Sequence, residues 1–161
     1  MDFEGGLKQC LPRLRRFAHA LSRDRSDADD LTQMTLERAL VARRQWQPGT
    51  KLDSWLYRIM RNLWIDTARS RSRKAKLEAP PEAAADIGVD PRPGMEASLD
   101  LARVMTQMSR LPDEQREVLA LILVEGFGYR EAAELLGVPI GTVSSRLVRG
   151  RSALLHLVGE Q

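Results

Sequence analysis

Apolar residues recur at steps of three and four along most of the chain, and no stretch sustains a strand's alternation, so the pattern predicts an all-α protein. A first helix over 7–21 carries Leu7, Leu11, Leu14, Phe17, Ala18 and Leu21 on one stripe, with Pro12 near its first turns. A second, over about 27–43, turns Ala28, Leu31, Thr35, Ala39 and Ala42 to one side, and Ser26 followed by Asp29 has the form of an N-terminal cap. Trp46, Gln47, Pro48 and Gly49 interrupt the period. Thr50 and Asp53 can then cap a long third helix reaching about Arg71, whose inner face reads Leu52, Trp55, Leu56, Ile59 and Leu63.

Residues 77–95 contain Pro80, Pro81, Pro91 and Pro93 among alanines and scattered acids, a composition that cannot bury a core and reads as a linker. It divides the chain into two small helical domains, 1–76 and 96–161. In the second, a helix over 99–109 precedes one that starts with Pro112 in its first helical position and runs to about 125. Gly126 and Gly128 punctuate the chain, a short helix over 129–136 ends at Gly137, and a last helix covers about 140–158.

The pair of helices around Gly137 has the spacing of a helix-turn-helix, with Ala133 small at the crossing and Val138 and Val143 burying the corner. On the last helix Val143, Leu147, Gly150 and Leu154 share one face, while Thr142, Ser145 and Arg149 project from the opposite side and Arg146 and Arg151 flank them. Hydroxyl and guanidinium groups so placed suit base edges in a major groove, with the flanking arginines on phosphates. An ordinary helical hairpin with a solvated basic face is the alternative. Gly150 costs a helix interior about 1 kcal/mol relative to alanine, and its place on the buried seam calls for close helix approach in compensation.

Charge sharpens the picture of the third helix. The net charge of the 161 residues is only +3. Residues 46–76 nevertheless hold eight basic against two acidic side chains, and 77–100 hold six acids against Arg92. Arginine far outnumbers the four lysines, as suits phosphate recognition. Arg58, Arg61, Asn62 and Arg69 line one side of the helix, Arg71, Arg73, Lys74 and Lys76 extend the charge, and Trp46, Trp55, Tyr57 and Trp64 accompany it. Cations, rings and an amide fit a nucleic-acid strand with unstacked bases. The competing reading makes the tryptophans core and the arginines a solvated face.

Other function classes recede. No apolar run approaches the roughly 20 residues of a membrane span, so a soluble protein without membrane insertion is expected. The N-terminus lacks a signal-peptide pattern and Cys10 is the only cysteine, which points to the cytoplasm without disulfides or a metal site. His19 and His156 stand far apart, and no Ser-His-Asp, HExxH, Walker or GxGxxG pattern occurs, so no enzyme, no catalytic residue and no cofactor is expected.

The order LPRLRRFAHALSRD, ADDLTQMTLERAL, SWLYRIMRNLWIDTARSRSRK, linker, LPDEQREVLALILVEGFGYREAAELLGVPIGTVSSRLVRGR resembles the extracytoplasmic-function sigma factors of bacteria over nearly the whole chain apart from the linker and the extreme ends. The resemblance implies a region 2 at 1–76 and a region 4 at 96–161 that bind core RNA polymerase and promoter DNA, with an anti-sigma protein as a further partner. It puts Asp29, Asp30, Gln33 and Glu37 on the helix that docks the clamp of the largest polymerase subunit, although Asp29 and Asp30 equally suit the helix dipole. It makes 46–54, with Trp46 and Lys51, the loop that receives an extruded minus-ten base, and sends the opened strand along Arg58, Arg61, Asn62 and Arg69. Thr142, Ser144, Ser145, Arg146, Arg149 and Arg151 then face the minus-thirty-five duplex.

The chain departs from the family pattern at Met34, where an acid is usual, at Ser144, where a lysine or arginine is common, and at Gly150, where alanine is usual. Two rival functions are a sigma-like decoy that sequesters an anti-sigma protein and an autonomous helix-turn-helix repressor. The arginines kept on both surfaces and the lack of room for a receiver domain disfavour the first. The lack of a spare helix with a long apolar seam for dimerisation disfavours the second.

Overall fold

A computed structural model describes residues 2–77 and 96–159, and every regular element in them is helical. The chain divides into two compact units, with the boundary in the segment between the described stretches. The proposed linker, apart from Leu77, lies outside the described residues.

The first unit is built from α1 (Phe3–Ser22), α2 (Arg25–Val41) and α3 (Leu52–Leu77), each packed on the other two, with a 3-10 turn at Arg43–Gln45. The helix α1 starts earlier than its apolar stripe because the Asp2 carboxylate accepts from the Gly5 N–H at 3.1 Å. Pro12 therefore sits in mid-helix, where its missing N–H removes one rung. The cap of α2 is Asp24, which accepts from the Asp27 N–H at 3.0 Å, and not the expected Ser26. Apart from Leu31, small and hydroxyl residues fill the buried face of α2: Ala28, Thr32, Thr35 and Ala39. Thr32 and Thr35 donate to the carbonyls of Ala28 and Leu31, each at 2.7 Å, so their burial leaves no hydroxyl unpaired. Between the helices Phe17 meets Tyr57 edge-on at 4.8 Å, inside a core of Leu14, Ala18, Leu56 and Met60.

The buried face of α3 differs from expectation. Leu56, Tyr57 and Met60 enter the core, whereas Leu52, Trp55, Ile59 and Leu63 are only half-buried. From Ala68 onward every described side chain of α3 is exposed, although Arg71 still reaches Asp27 on α2.

The second unit contains α4 (Glu96–Met108), α5 (Asp113–Leu119), α6 (Tyr129–Leu136) and α7 (Ile140–Gly159), with α4, α5 and α6 all packed on α7. Pro112 stands one position before α5, as its N-cap. The helix expected to run to about 125 changes hydrogen-bond step at its end: residues Ala120–Val124 form a π-helical turn, and the Glu125 N–H reaches Ala120 O at 2.9 Å. Arg116, 3% exposed, fastens the preceding corner by donating to Leu111 O at 3.0 Å and to the Asp113 carboxylate at 2.7 Å. The helix α6 ends at Gly137, whose φ of 68° is the left-handed conformation that suits glycine, and α7 begins three residues later. Gly150 lies where α7 crosses α5: a Cβ there would come within 3.1 Å of Leu119 and 3.3 Å of Gln115. The close approach inferred from the sequence is thus present.

Candidate nucleic-acid and partner interfaces

On α2 the four candidate docking residues Asp29, Asp30, Gln33 and Glu37 are all exposed, and Gln33 donates to Glu37 at 3.2 Å. At about 100° per residue, Asp30, Met34, Glu37 and Val41 fall on one strip. Met34 and Val41, 39% and 86% exposed, make that strip partly apolar. With Glu37, Arg38 and Leu63 they line a depression of about 340 Å³. A second depression of about 320 Å³ adjoins it, lined by Arg38, Val41, Ala42, Gln45, Trp55, Ile59, Asn62, Leu63 and Asp66. Trp55, Ile59 and Leu63 of α3 therefore wall a groove between α2 and α3 rather than fill the core. Sequence reading missed this because the apolar positions of α3 cover two adjacent arcs. Their excessive width was the available signal.

Of the candidate strand residues on α3, Arg58, Asn62 and Arg69 fall within an arc of about 40° opposite Leu56, Tyr57 and Met60 and are exposed, whereas Arg61 sits about 60° to one side of Arg58. Asn62 belongs to the groove and Arg61 is half-buried on the opposite flank. Lys51 is exposed in the loop before α3. Trp46 is half-buried, 5.8 Å from the ring of Phe3, and its indole nitrogen is enclosed without a hydrogen-bond partner among the described residues. The loop tip turns at Gln47–Thr50, with the Thr50 hydroxyl and N–H both on Gln47 O, at 2.6 and 3.1 Å.

One arginine of the basic extension is committed internally. Both terminal nitrogens of Arg71 donate to the two carboxylate oxygens of Asp27 at 2.7 Å, and its guanidinium lies 5.6 Å from the Trp64 ring centre. These hydrogen bonds hold the Asp27 carboxyl below its ordinary value.

On α7, Thr142, Ser145 and Arg149 lie within an arc of about 60° opposite the buried Val143, Leu147 and Gly150. Ser145 and Arg149 are exposed and Thr142 is half-exposed. The other three candidates lie elsewhere. Arg146 is turned toward α5, where it pairs with Glu114 at 3.6 Å. Ser144 and Arg151 occupy the far flank of the helix, about 160° from Arg149 in the case of Arg151, beside the exposed apolar Val148 and Leu155. Thr142, Ser145 and Arg149 thus share one face, as their spacing predicts, and the other three lie off it.

Among the described residues no helix is long and apolar enough to cross a membrane. Residues 7–74 match the Sigma-70 region 2 family and residues 101–154 match the Sigma-70 region 4 family. The chain is 39% identical over 154 residues to the ECF RNA polymerase sigma factor EcfG of Rhodopseudomonas palustris, covering 94% of this chain and 83% of that protein. It is 38% identical to the ECF sigma factor SigE of Mycolicibacterium smegmatis, over 92% of this chain and 58% of that one. Among solved structures it is similar to the sigma factor RpoE in complex with the anti-sigma factor NepR from Bartonella quintana, with a TM-score of 0.88, 35% identity, and 98% and 97% of the two chains covered. It is also similar to CnrH in complex with the cytosolic domain of CnrY, with a TM-score of 0.65, 26% identity, and 96% and 88% covered.

Proposed function

Because the chain belongs to the extracytoplasmic-function sigma factors, which bind core RNA polymerase and promoter DNA to initiate transcription, we propose that its two helical units divide that work between strand capture and duplex reading. Region 2, at 1–76, docks on polymerase through Asp29, Asp30, Gln33 and Glu37 and receives the melted minus-ten strand on the loop at 46–54 and on Arg58, Arg61, Asn62 and Arg69. Region 4, at 96–161, reads the minus-thirty-five duplex. The protein acts in the cytoplasm and has no catalysis of its own. A mixed acidic and apolar strip suits a basic amphipathic partner segment, because unlike charges steer the encounter while Met34 and Val41 supply apolar contact.

The observation that carries the duplex reading is the shared arc of Thr142, Ser145 and Arg149 on a helix whose opposite side buries Val143, Leu147 and Gly150. A groove-bound helix needs this combination of rigid support and outward donors. Within the candidate set, Thr142, Ser145 and Arg149 are assigned to base edges and Arg151 and Ser144 to backbone contact. Arg146 contributes once it leaves Glu114. An anti-sigma protein is the further partner, a reading supported by the partners held by RpoE and CnrH.

The division of labour is tested by abortive transcription on duplex and premelted templates. Arg149→Ala should weaken promoter engagement by about 1–3 kcal/mol if it makes a bidentate base contact, with no rescue by a bubble over the minus-ten region. Arg58→Ala and Asn62→Ala should be rescued by the bubble, since melting no longer has to be driven by strand capture. Equal rescue of all three would refute the division.

A further inference from the structure

The first turn of α1 belongs to none of the surfaces above, yet it joins two of them. Phe3 is 6% exposed. Its ring lies 5.8 Å from Trp46, tilted by 47°, and 6.0 Å from Trp55, nearly edge-on at 67°. The Arg43 guanidinium sits 5.3 Å from the same ring centre and 3.8 Å from the Glu4 carboxylate. Trp46 opens the loop before α3, and Trp55 walls the groove that contains Asn62. One side chain at the start of the described chain therefore touches both the loop and the groove, from which it is separated by more than two helices of sequence.

The loop tip, residues 47–51, is exposed. The Gln47–Thr50 hydrogen bonds close its turn, and the Lys51 carbonyl accepts from the Trp55 N–H at 3.4 Å in the first turn of α3. The enclosed Trp46 indole nitrogen has no acceptor among the described residues, so packing rather than a polar bond sets the ring's orientation. Tilted and edge-on ring pairs favour particular geometries, which a shapeless apolar contact does not. Discrimination among bases requires a receiving surface held in one geometry, because a loose loop accommodates several bases at similar cost.

We propose that Phe3 is a positioning residue for strand recognition: it locks Trp46, and through it the loop tip, against Trp55, so that loop and groove present one surface to an unstacked base. The inference rests on the reading of 46–54 as the strand-capturing loop. Phe3 touches no nucleic acid itself. Its role lies in selectivity, and a residue that merely filled the core would change stability without changing the ratio between matched and altered strands.

The test uses holoenzyme assembled from core polymerase and the full chain. Single strands are selected from a random pool by the wild-type holoenzyme, and their affinities are compared by fluorescence anisotropy with those of strands altered at one base. Phe3→Leu keeps apolar bulk and removes the ring. It should lower the matched-to-altered ratio by about fivefold to tenfold, the scale of a lost aromatic pair, with polymerase association and upstream-duplex binding unchanged. Phe3→Tyr should retain the wild-type ratio. Phe3→Met, longer and unbranched, removes the ring from the same side of the contact and should reproduce the loss even if Phe3→Leu assembles poorly. A wild-type ratio in either ringless variant, or an equal loss of affinity for matched and altered strands, overturns the proposal. A wild-type holoenzyme that does not discriminate among strands overturns instead the strand-capture reading beneath it.

Discussion

In the first unit Arg13, Arg43 and Arg71 each reach a carboxylate on another helix, Asp53, Glu4 and Asp27, and each lies within 5.3 to 5.7 Å of an aromatic ring, Tyr57, Phe3 and Trp64. In the second unit Arg116 is buried in a corner, Arg146 pairs at 3.6 Å, and Arg149 and Arg151 stand exposed on α7. The difference follows from packing. Exposed ion pairs and cation–ring contacts each contribute at most about 1 kcal/mol, so in the first unit they orient helices that apolar burial already holds. The second unit instead wraps three short helices around one, with a glycine at the closest crossing, and leaves the outer face of that helix to other uses.

That contrast can be broken most forcefully at Gly150. Gly150→Val places branched carbon where even a Cβ would be at 3.1 Å from the fully buried Leu119, and overpacking of this kind costs about 3 kcal/mol. All three tryptophans, Trp46, Trp55 and Trp64, lie in the first unit. Urea unfolding followed by tryptophan fluorescence should therefore stay near wild type, while the circular dichroism transition moves to lower urea. Coincident shifts in both signals would show that the units do not unfold separately.

Arg116→Ala should come next. It strips the Leu111 carbonyl and the Asp113 carboxylate of a donor at 3% exposure, a loss of about 2 kcal/mol from the same circular dichroism transition. A cost within error of zero would mean that the corner is held by apolar contacts alone.

The ties of the first unit should cost far less. Asp27→Asn should lower the fluorescence-monitored transition by under about 1 kcal/mol at neutral pH, because the Arg71 side chain is half-exposed. The pH dependence has a definite sign. Asp27 is held below its ordinary value of 3.8, so its contribution is present above that value and lost as pH falls through the lowered one. The difference between Asp27→Asn and wild type should therefore vanish in acid and persist at neutral pH. A difference that grows in acid would contradict the pairing.

The smallest effect is expected at Glu114, which sits 3.6 Å from Arg146. Glu114→Gln should strengthen binding of holoenzyme to promoter duplex by under about 1 kcal/mol and steepen its salt dependence by about one counterion, as a released arginine gains a phosphate. An unchanged salt slope would leave Arg146 out of the DNA surface.

Much of the fold was legible along the chain. Period and punctuation sufficed for seven helices, and the element at Tyr129–Leu136 matched to the residue because a glycine that adopts φ 68° must end it. The close crossing at Gly150 was equally readable, since a glycine on a buried seam allows backbones to approach. Caps were less certain: Asp24 outcompeted Ser26 through geometry that composition does not encode.

The sequence by itself thus determined that the protein is helical, that it has two halves, and that arginine and hydroxyl groups recur on its third and last helices. Only the tertiary structure decided which of those groups face outward together. Helical period places side chains around an axis, but the direction of the core is set by neighbouring helices. Those neighbours left Trp55, Ile59 and Leu63 beside an open groove and turned Arg71 to Asp27 and Arg146 to Glu114. Phe3 gained its place between Trp46 and Trp55 in the same way, through a contact across more than forty residues that no local pattern can announce.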